Sequence, residues 1–235
     1  MKGIRTFIAL LTTAIISGCA TDSGFRIDNV PMYGQPEIKR PAFLKQADDD
    51  FIKEASAKLG SREAASIAWY EQGEKYMAED NLDFAMRRYN QSWLLNPDNY
   101  QPYWGFARVM VAARKYDESF RHFERARQLI DDDYQKPALL TDLAIAYHNK
   151  ANSLPLEDSD ERRKFFALAN RTFDEATKAD STYLKAWLKW AYSLYFQRDY
   201  AAAWERITRV RALDSASVPT SFLEKLQSKM PEPAH

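Results

Sequence analysis

The chain has one cysteine, three histidines and only seven glycines in 235 residues. A lone cysteine, Cys19, excludes an intramolecular disulfide. His122, His148 and His235 form no HExxH or other ligand spacing, so no zinc site is expected. Scarce glycine argues against a turn-rich β architecture, and neither a glycine-rich phosphate loop nor a GxSxG elbow occurs. Net charge is missing too: 33 basic residues balance 33 acidic ones, which removes the electrostatic footprint of a nucleic-acid binder. The run Asp131-Asp132-Asp133 lacks the spacing of a calcium loop and is expected to cap a helix. No pair of carboxylates stands out for acid–base work. Together these absences argue against an enzyme and imply no cofactor and no metal. What is present is 46% apolar, 28% charged and 14% aromatic residues, enough for a core and suited to packed helix hairpins.

Residues 1–18 have the layout of a secretory signal: Lys2 and Arg5, an apolar stretch from Thr6 to Ile16, then small residues. That stretch is far short of the ~20 residues that span a bilayer. The segment Ile16-Ser17-Gly18-Cys19 resembles the lipobox of bacterial lipoproteins. The resemblance implies that the Cys19 thiol takes a diacylglyceryl group, that cleavage leaves Cys19 as the new N-terminus, and that this terminus is acylated. One acyl chain holds a protein on a bilayer only marginally, whereas two or more hold it stably. The rival reading is an ordinary signal with an incidental cysteine. Ala20, in place of Asp, resembles the lipoproteins sent on to the outer membrane.

Residues 19–47 read as the lipidated cysteine followed by an extended tether, because Pro31, Pro36 and Pro41 interrupt any period. Phe25, Ile27, Met32 and Tyr33 in it either dock on a partner or on the domain itself, or belong to a passive spacer. The segment 48–65 then contains a helix over 48–59 with Gly60 just past its end and Ser61 as the next N-cap.

From residue 66 the sequence repeats. Trp69 aligns with Tyr103, Gly73 with Ala107, Ala85 with Ser119, Tyr89 with Phe123 and Ser92 with Ala126, all at a period of 34 residues. This spacing and these residue types resemble the tetratricopeptide repeat. The fold class expected is all-α: a superhelical α-solenoid of about four helix hairpins with a capping helix at each end. The units are 66–99, 100–133, 137–183 with an insertion at 151–163, and 184–217; residues 218–235 supply the second cap, with Phe222, Leu223 and Leu226 on one stripe. Large residues facing small ones let each hairpin close and stack, since no unit buries its faces alone.

In the repeat family the first helix of each unit lines a concave groove, on the face opposite its packing stripe. The resemblance carries that face onto Ile67, Tyr70, Glu74 and Met77; Gln101, Trp104, Arg108 and Val111; Ala138, Thr141, Ile145 and His148; and Lys185, Leu188, Tyr192 and Tyr195. Aromatics and arginine there would be recognition anchors, unless Trp104, Tyr192 and Tyr195 are covered by the caps or the tether. The clamp that co-chaperone repeats use for a C-terminal carboxylate is absent, because Tyr70 and Glu74 stand where it needs Lys and Asn. The inserted hairpin, with its acidic tip 157–161 followed by Phe165 and Phe166, is a second candidate contact.

The function expected is a membrane-anchored adaptor on the outer membrane, facing the periplasm. Its partners would be envelope assembly factors, as in pilotin-like type IV pilus secretin assembly or the recruitment of peptidoglycan hydrolases. The alternative is a carrier that shields a lipid or a nascent outer-membrane strand in its aromatic groove.

Overall fold

The computed structural model describes residues 26–39, 41–156 and 159–233. The signal segment and Cys19 lie outside the described residues. Among the described residues there are ten α-helices and no strand: α1 Ala42–Leu59, α2 Arg62–Ala78, α3 Leu82–Leu95, α4 Tyr100–Ala112, α5 Tyr116–Leu129, α6 Lys136–Ser153, α7 Ser159–Ala179, α8 Leu184–Phe196, α9 Tyr200–Leu213 and α10 Thr220–Gln227. No helix among them is long and apolar enough to cross a membrane.

Helices α2–α3, α4–α5, α6–α7 and α8–α9 form hairpins, and each hairpin stacks on the next. First helices also touch one another in the order α2, α4, α6, α8, closer than successive second helices approach. The first helices therefore line the inner side of a tetratricopeptide-type α-solenoid, as the residue pattern implies.

Local chemistry explains the hairpins. Three turns repeat one motif. Asn81 N–H bonds to the Tyr76 carbonyl (2.9 Å), Lys115 N–H to Met110 (2.8 Å) and Asp199 N–H to Leu194 (3.0 Å). The preceding residues, Asp80, Arg114 and Arg198, are left-handed, with φ of 56°, 60° and 65°. These are Schellman turns, which satisfy the last carbonyls of the first helix. Asn81 and Asp199 then accept from Phe84 N–H and Ala202 N–H and cap the second helix. Ser61 caps α2 by accepting from Ala64 N–H, and Gly60 ends α1 with φ 90°. Asp132 accepts from Tyr134 and Gln135 N–H and leads the chain into α6.

The third hairpin is longer. α6 has 18 residues and α7 has 21, against 13 and 14 in the hairpins on either side. Arg162 closes its tip by donating from Nη1 to the Ala151 and Leu154 carbonyls at 2.9 and 2.8 Å. The aromatic residues past its acidic tip turn toward the stack: Phe166 is buried, and Phe165, half-buried, stacks on Phe120 of α5 with Tyr147 alongside.

Two core clusters run through the stack. One joins Tyr89, Phe106 and Phe123 to Leu139 and Leu143 of α6; the other joins Ala144 of α6 to Phe173, Trp190, Ile207 and Leu226. At the far end α10 seats Phe222 and Leu226 in the second cluster, and Trp204 Nε1 donates to the Met230 carbonyl at 3.0 Å.

The N-terminal part differs from the expected extended tether. α1 begins at Ala42, six residues earlier than the sequence reading, because Pro41 stands at the N-cap with extended backbone, where a proline breaks nothing. Before it, two 3-10 turns, Ile27–Asn29 and Pro31–Gly34, lie against α3, with Pro31 and Tyr33 buried.

Candidate functional site

A chain of charges crosses the inner face, one side chain from each first helix. Arg108 Nη1 of α4 donates to both carboxylate oxygens of Glu74 on α2, at 2.8 and 2.6 Å. On its other side Arg108 Nε lies 3.8 Å from Asp142 Oδ2 of α6. Asp142 also accepts from Trp104 Nε1 at 3.1 Å and from Lys185 Nζ of α8 at 3.1 Å. The order along the face is minus, plus, minus, plus. Exposure is least at the third rung and greatest at the fourth: the side chains of Glu74 and Arg108 are 33% and 26% exposed, Asp142 15% and Lys185 48%.

Tyr89 ties this ladder to the core. Its ring is fully buried in α3 and its hydroxyl donates to Glu74 Oε1 at 2.6 Å. Gly73 of α2 and Gly105 of α4 flank the ring so closely that a side chain at either would overlap it. The glycines are there to let two helices meet across one tyrosine. Burial, then the Glu74 charge, pushes the Tyr89 hydroxyl far above its ordinary pKa, and Tyr70 is raised for the same two reasons. Burial works against the Arg108 charge, but Glu74 and Asp142 outweigh it and hold the guanidinium above its ordinary value.

The other expected groove residues divide into two groups. Tyr70 and Trp104 are buried and join neighbouring hairpins rather than offering rings to solvent; Thr141 is buried too and donates to the Pro137 carbonyl. Tyr192 stacks on Phe222 of α10 at 3.9 Å between ring centres, and Tyr195 meets the same ring edge-on at 5.7 Å. His148 lies between Phe166 and Phe196, with Nδ1 3.0 Å from Ser193 Oγ and Nε2 2.7 Å from Asn152 Nδ2. Burial lowers its pKa to about 4. Ile67, Gln101, Met77, Val111, Ala138, Ile145 and Leu188 stay half-buried or exposed on the face, Ile67 the most at 45%. The inner face is thus a charge ladder bordered by aliphatic side chains, and the aromatic residues expected to line it serve as joints.

Sequence reasoning missed two residues. Asp142 sits one turn before Ile145, its positional counterpart to Arg108, because the third unit enters its first helix three residues late. Asn90 on α3 is fully buried and spends its amide on the N-terminal segment; nothing local in the sequence marks it. His122 lines a cleft of about 370 Å³ between that segment and α5, beside Tyr103, Arg121 and Arg125. Burial, with Arg121 nearby, lowers its pKa to about 4. No group of three or more metal-ligating side chains occurs among the described residues.

No protein-family model matches the chain, and no curated protein matches it. Similar solved structures include the following two. PilF of Pseudomonas aeruginosa is 14% identical, the match covering 78% of this chain and 84% of that chain, with a TM-score of 0.47. YrrB, described as a TPR protein with an unusual peptide-binding site, is 16% identical over 79% of this chain and 98% of that chain, with a TM-score of 0.34. At this distance neither neighbour assigns a role to the chain, whose own helices carry its membership of the α-solenoid class.

Proposed function

We propose that the chain is a lipid-anchored adaptor of the bacterial envelope that holds protein partners on the inner face of its helix stack. The observation that carries this reading is the ladder Glu74–Arg108–Asp142–Lys185 with Ile67, Met77, Val111, Ile145 and Leu188 around it. Exposed ion pairs are worth only ~0–1 kcal/mol each. A partner that brings carboxylates, guanidinium groups and an apolar side chain can therefore exchange with the Lys185 end at little cost. Acylated Cys19 supplies the attachment, to the outer membrane on its periplasmic side, and the partners are envelope assembly factors of the pilus, secretion or cell-wall machinery. Catalysis has no part in this reading. The carrier alternative has less support, because Trp104 is buried and Tyr192 and Tyr195 pack on the Phe222 ring of α10.

The test is site-specific photo-crosslinking in cells. A probe at Ile67 should trap defined envelope proteins, Lys185→Glu should weaken that trapping, and a probe at Arg171 on the second-helix side should trap none. Equal trapping at Ile67 and Arg171 would refute the inner face as the binding surface. For the anchor, Cys19→Ser should abolish labelling by palmitate; persistent labelling would sink it. Co-purified lipid in native mass spectrometry would favour the carrier.

A further inference from the structure

We infer that residues 26–39 form a strap that fixes which side of the helix stack faces the membrane; the inference rests on the lipid-anchor reading above. Adjacent residues of α3 do different jobs. Tyr89 reaches toward Glu74 on the inner side, and Asn90 turns to the strap. The Asn90 amide donates from Nδ2 to the Asp28 and Val30 carbonyls, both at 2.9 Å, and accepts from Tyr33 N–H at 3.3 Å. Its neighbour Arg87 donates from Nε to Asn29 Oδ1 at 3.3 Å. A fully buried amide without partners would be costly, and every hydrogen bond of the Asn90 side chain goes to the strap.

The strap holds a shape that a relaxed chain would avoid. Met32 and Tyr33 are both left-handed, with φ 53°. That conformation costs an L-residue ~1–2 kcal/mol, so the contacts with α3 must impose it. Met32 packs on the first core cluster and Tyr33 is buried.

Geometry gives the consequence. Arg26 is seven residues on from Cys19, and a chain advances at most ~3.6 Å per residue, so the strap begins within ~25 Å of the acylated cysteine. With the strap undocked, the leash would run to Ala42, 23 residues on, and could reach ~80 Å. Docking shortens the leash by two thirds and attaches it to the second-helix side, along α3 and beside α5. The charge ladder lies on the first-helix side. The bilayer therefore faces the back of the first hairpins, and the inner face looks away from it.

The experiment uses the full-length lipidated protein in vesicles of phosphatidylethanolamine and phosphatidylglycerol. With Cys19 acylated, Asp83→Cys on α3 gives one labelling site, and energy transfer to headgroup acceptors reports its height. Asn90→Leu, and separately Tyr33→Ser on the strap itself, should lose protection of the residue-33 amide against exchange and lower transfer at least twofold, while vesicle flotation stays unchanged. Unchanged transfer in both variants, with amide protection lost, would overturn the strap and leave the anchor standing. A wild-type protein that fails to float would instead overturn the anchor reading and the strap's role with it.

Discussion

Gly105→Ala probes the joint that Tyr89 makes between α2 and α4. In an ordinary helix interior this change gains ~1 kcal/mol from helix propensity. Here the new Cβ would lie 2.6 Å from Tyr89 Cδ1 and 2.7 Å from Cε1 and Cγ, where carbon atoms prefer ~3.5–4.0 Å. The ring has nowhere to go. Gly73 sits against the same Cδ1, at 2.6 Å from an added Cβ, Phe106 meets the ring edge-on, and the hydroxyl is held by Glu74. Overpacking costs ~1–3 kcal/mol, and loosening a hydrogen bond to a charged acceptor adds part of ~1.5–3 kcal/mol. After the propensity gain, the net loss is about 2 kcal/mol, which lowers Tm by roughly 4–8 °C in a chain of this size. Thermal and urea unfolding followed by circular dichroism measure it. Adding Tyr89→Leu to Gly105→Ala should recover part of the loss, with a coupling of ~1 kcal/mol or more. A Tm equal to or above wild type for Gly105→Ala would refute the argument that this ring sets the helix spacing.

Three further outcomes follow from the same structure. Arg114→Gly should stabilise the protein by up to ~1 kcal/mol and Arg114→Val should destabilise it, since the position is left-handed; urea midpoints in the order Gly, Arg, Val check this, and the reverse order contradicts it. Arg108→Ala removes the cation that joins Glu74 to Asp142, leaving Asp142 only the Lys185 contact, and should cost ~1–3 kcal/mol, against ~0–1 kcal/mol for the more exposed Lys185→Ala; equal losses would show that the middle of the ladder is no more shielded than its end. His122 and His148 are held neutral, each with a pKa of about 4 against an ordinary 6.5. The stability tied to these rings is complete above pH 6.5 and drains away as pH falls toward 4, because the unfolded chain takes up protons first; urea midpoints should drop over that window and His148→Gln should flatten the drop, whereas a midpoint constant down to pH 4 would exclude it.

The fold was legible because repeat packing writes itself into residue size. Gly73, Ala85 and Ala107 recur opposite Tyr89 and Phe123 at a fixed spacing, and the helix pairs follow from that alternation. The hairpin turns were less visible, since Asp80, Arg114 and Arg198 occupy a backbone conformation that glycine usually announces. Legibility of the site was poorer. A position on the correct face of a helix does not say whether the next element covers it, so Trp104 and Tyr192 read as exposed anchors, whereas Trp104 is buried and Tyr192 is half-buried against Phe222. Asp142 was hidden by a three-residue shift of one helix. Asn90 was hidden by distance: its partners lie 57 to 62 residues away along the chain, and a polar residue on a second helix gives no sign of such a bond. Prolines misled at the N-terminus because the same residue that interrupts a helix also begins one, as Pro41 does.

The placement of α6 has a mechanical consequence. Leu139, Leu143 and Ala146 belong to the core on one side of this helix and Ala144 to the core on the other, so it is the shared wall of two rooms. A load applied at the C-terminus would strip α7 to α10 as one block and then stall, because the far side of α6 is still sealed by α4 and α5. Such a chain gives way in two stages rather than hairpin by hairpin. The half next to the strap would keep its shape, and its hold on the N-terminus, after the other half has been pulled open.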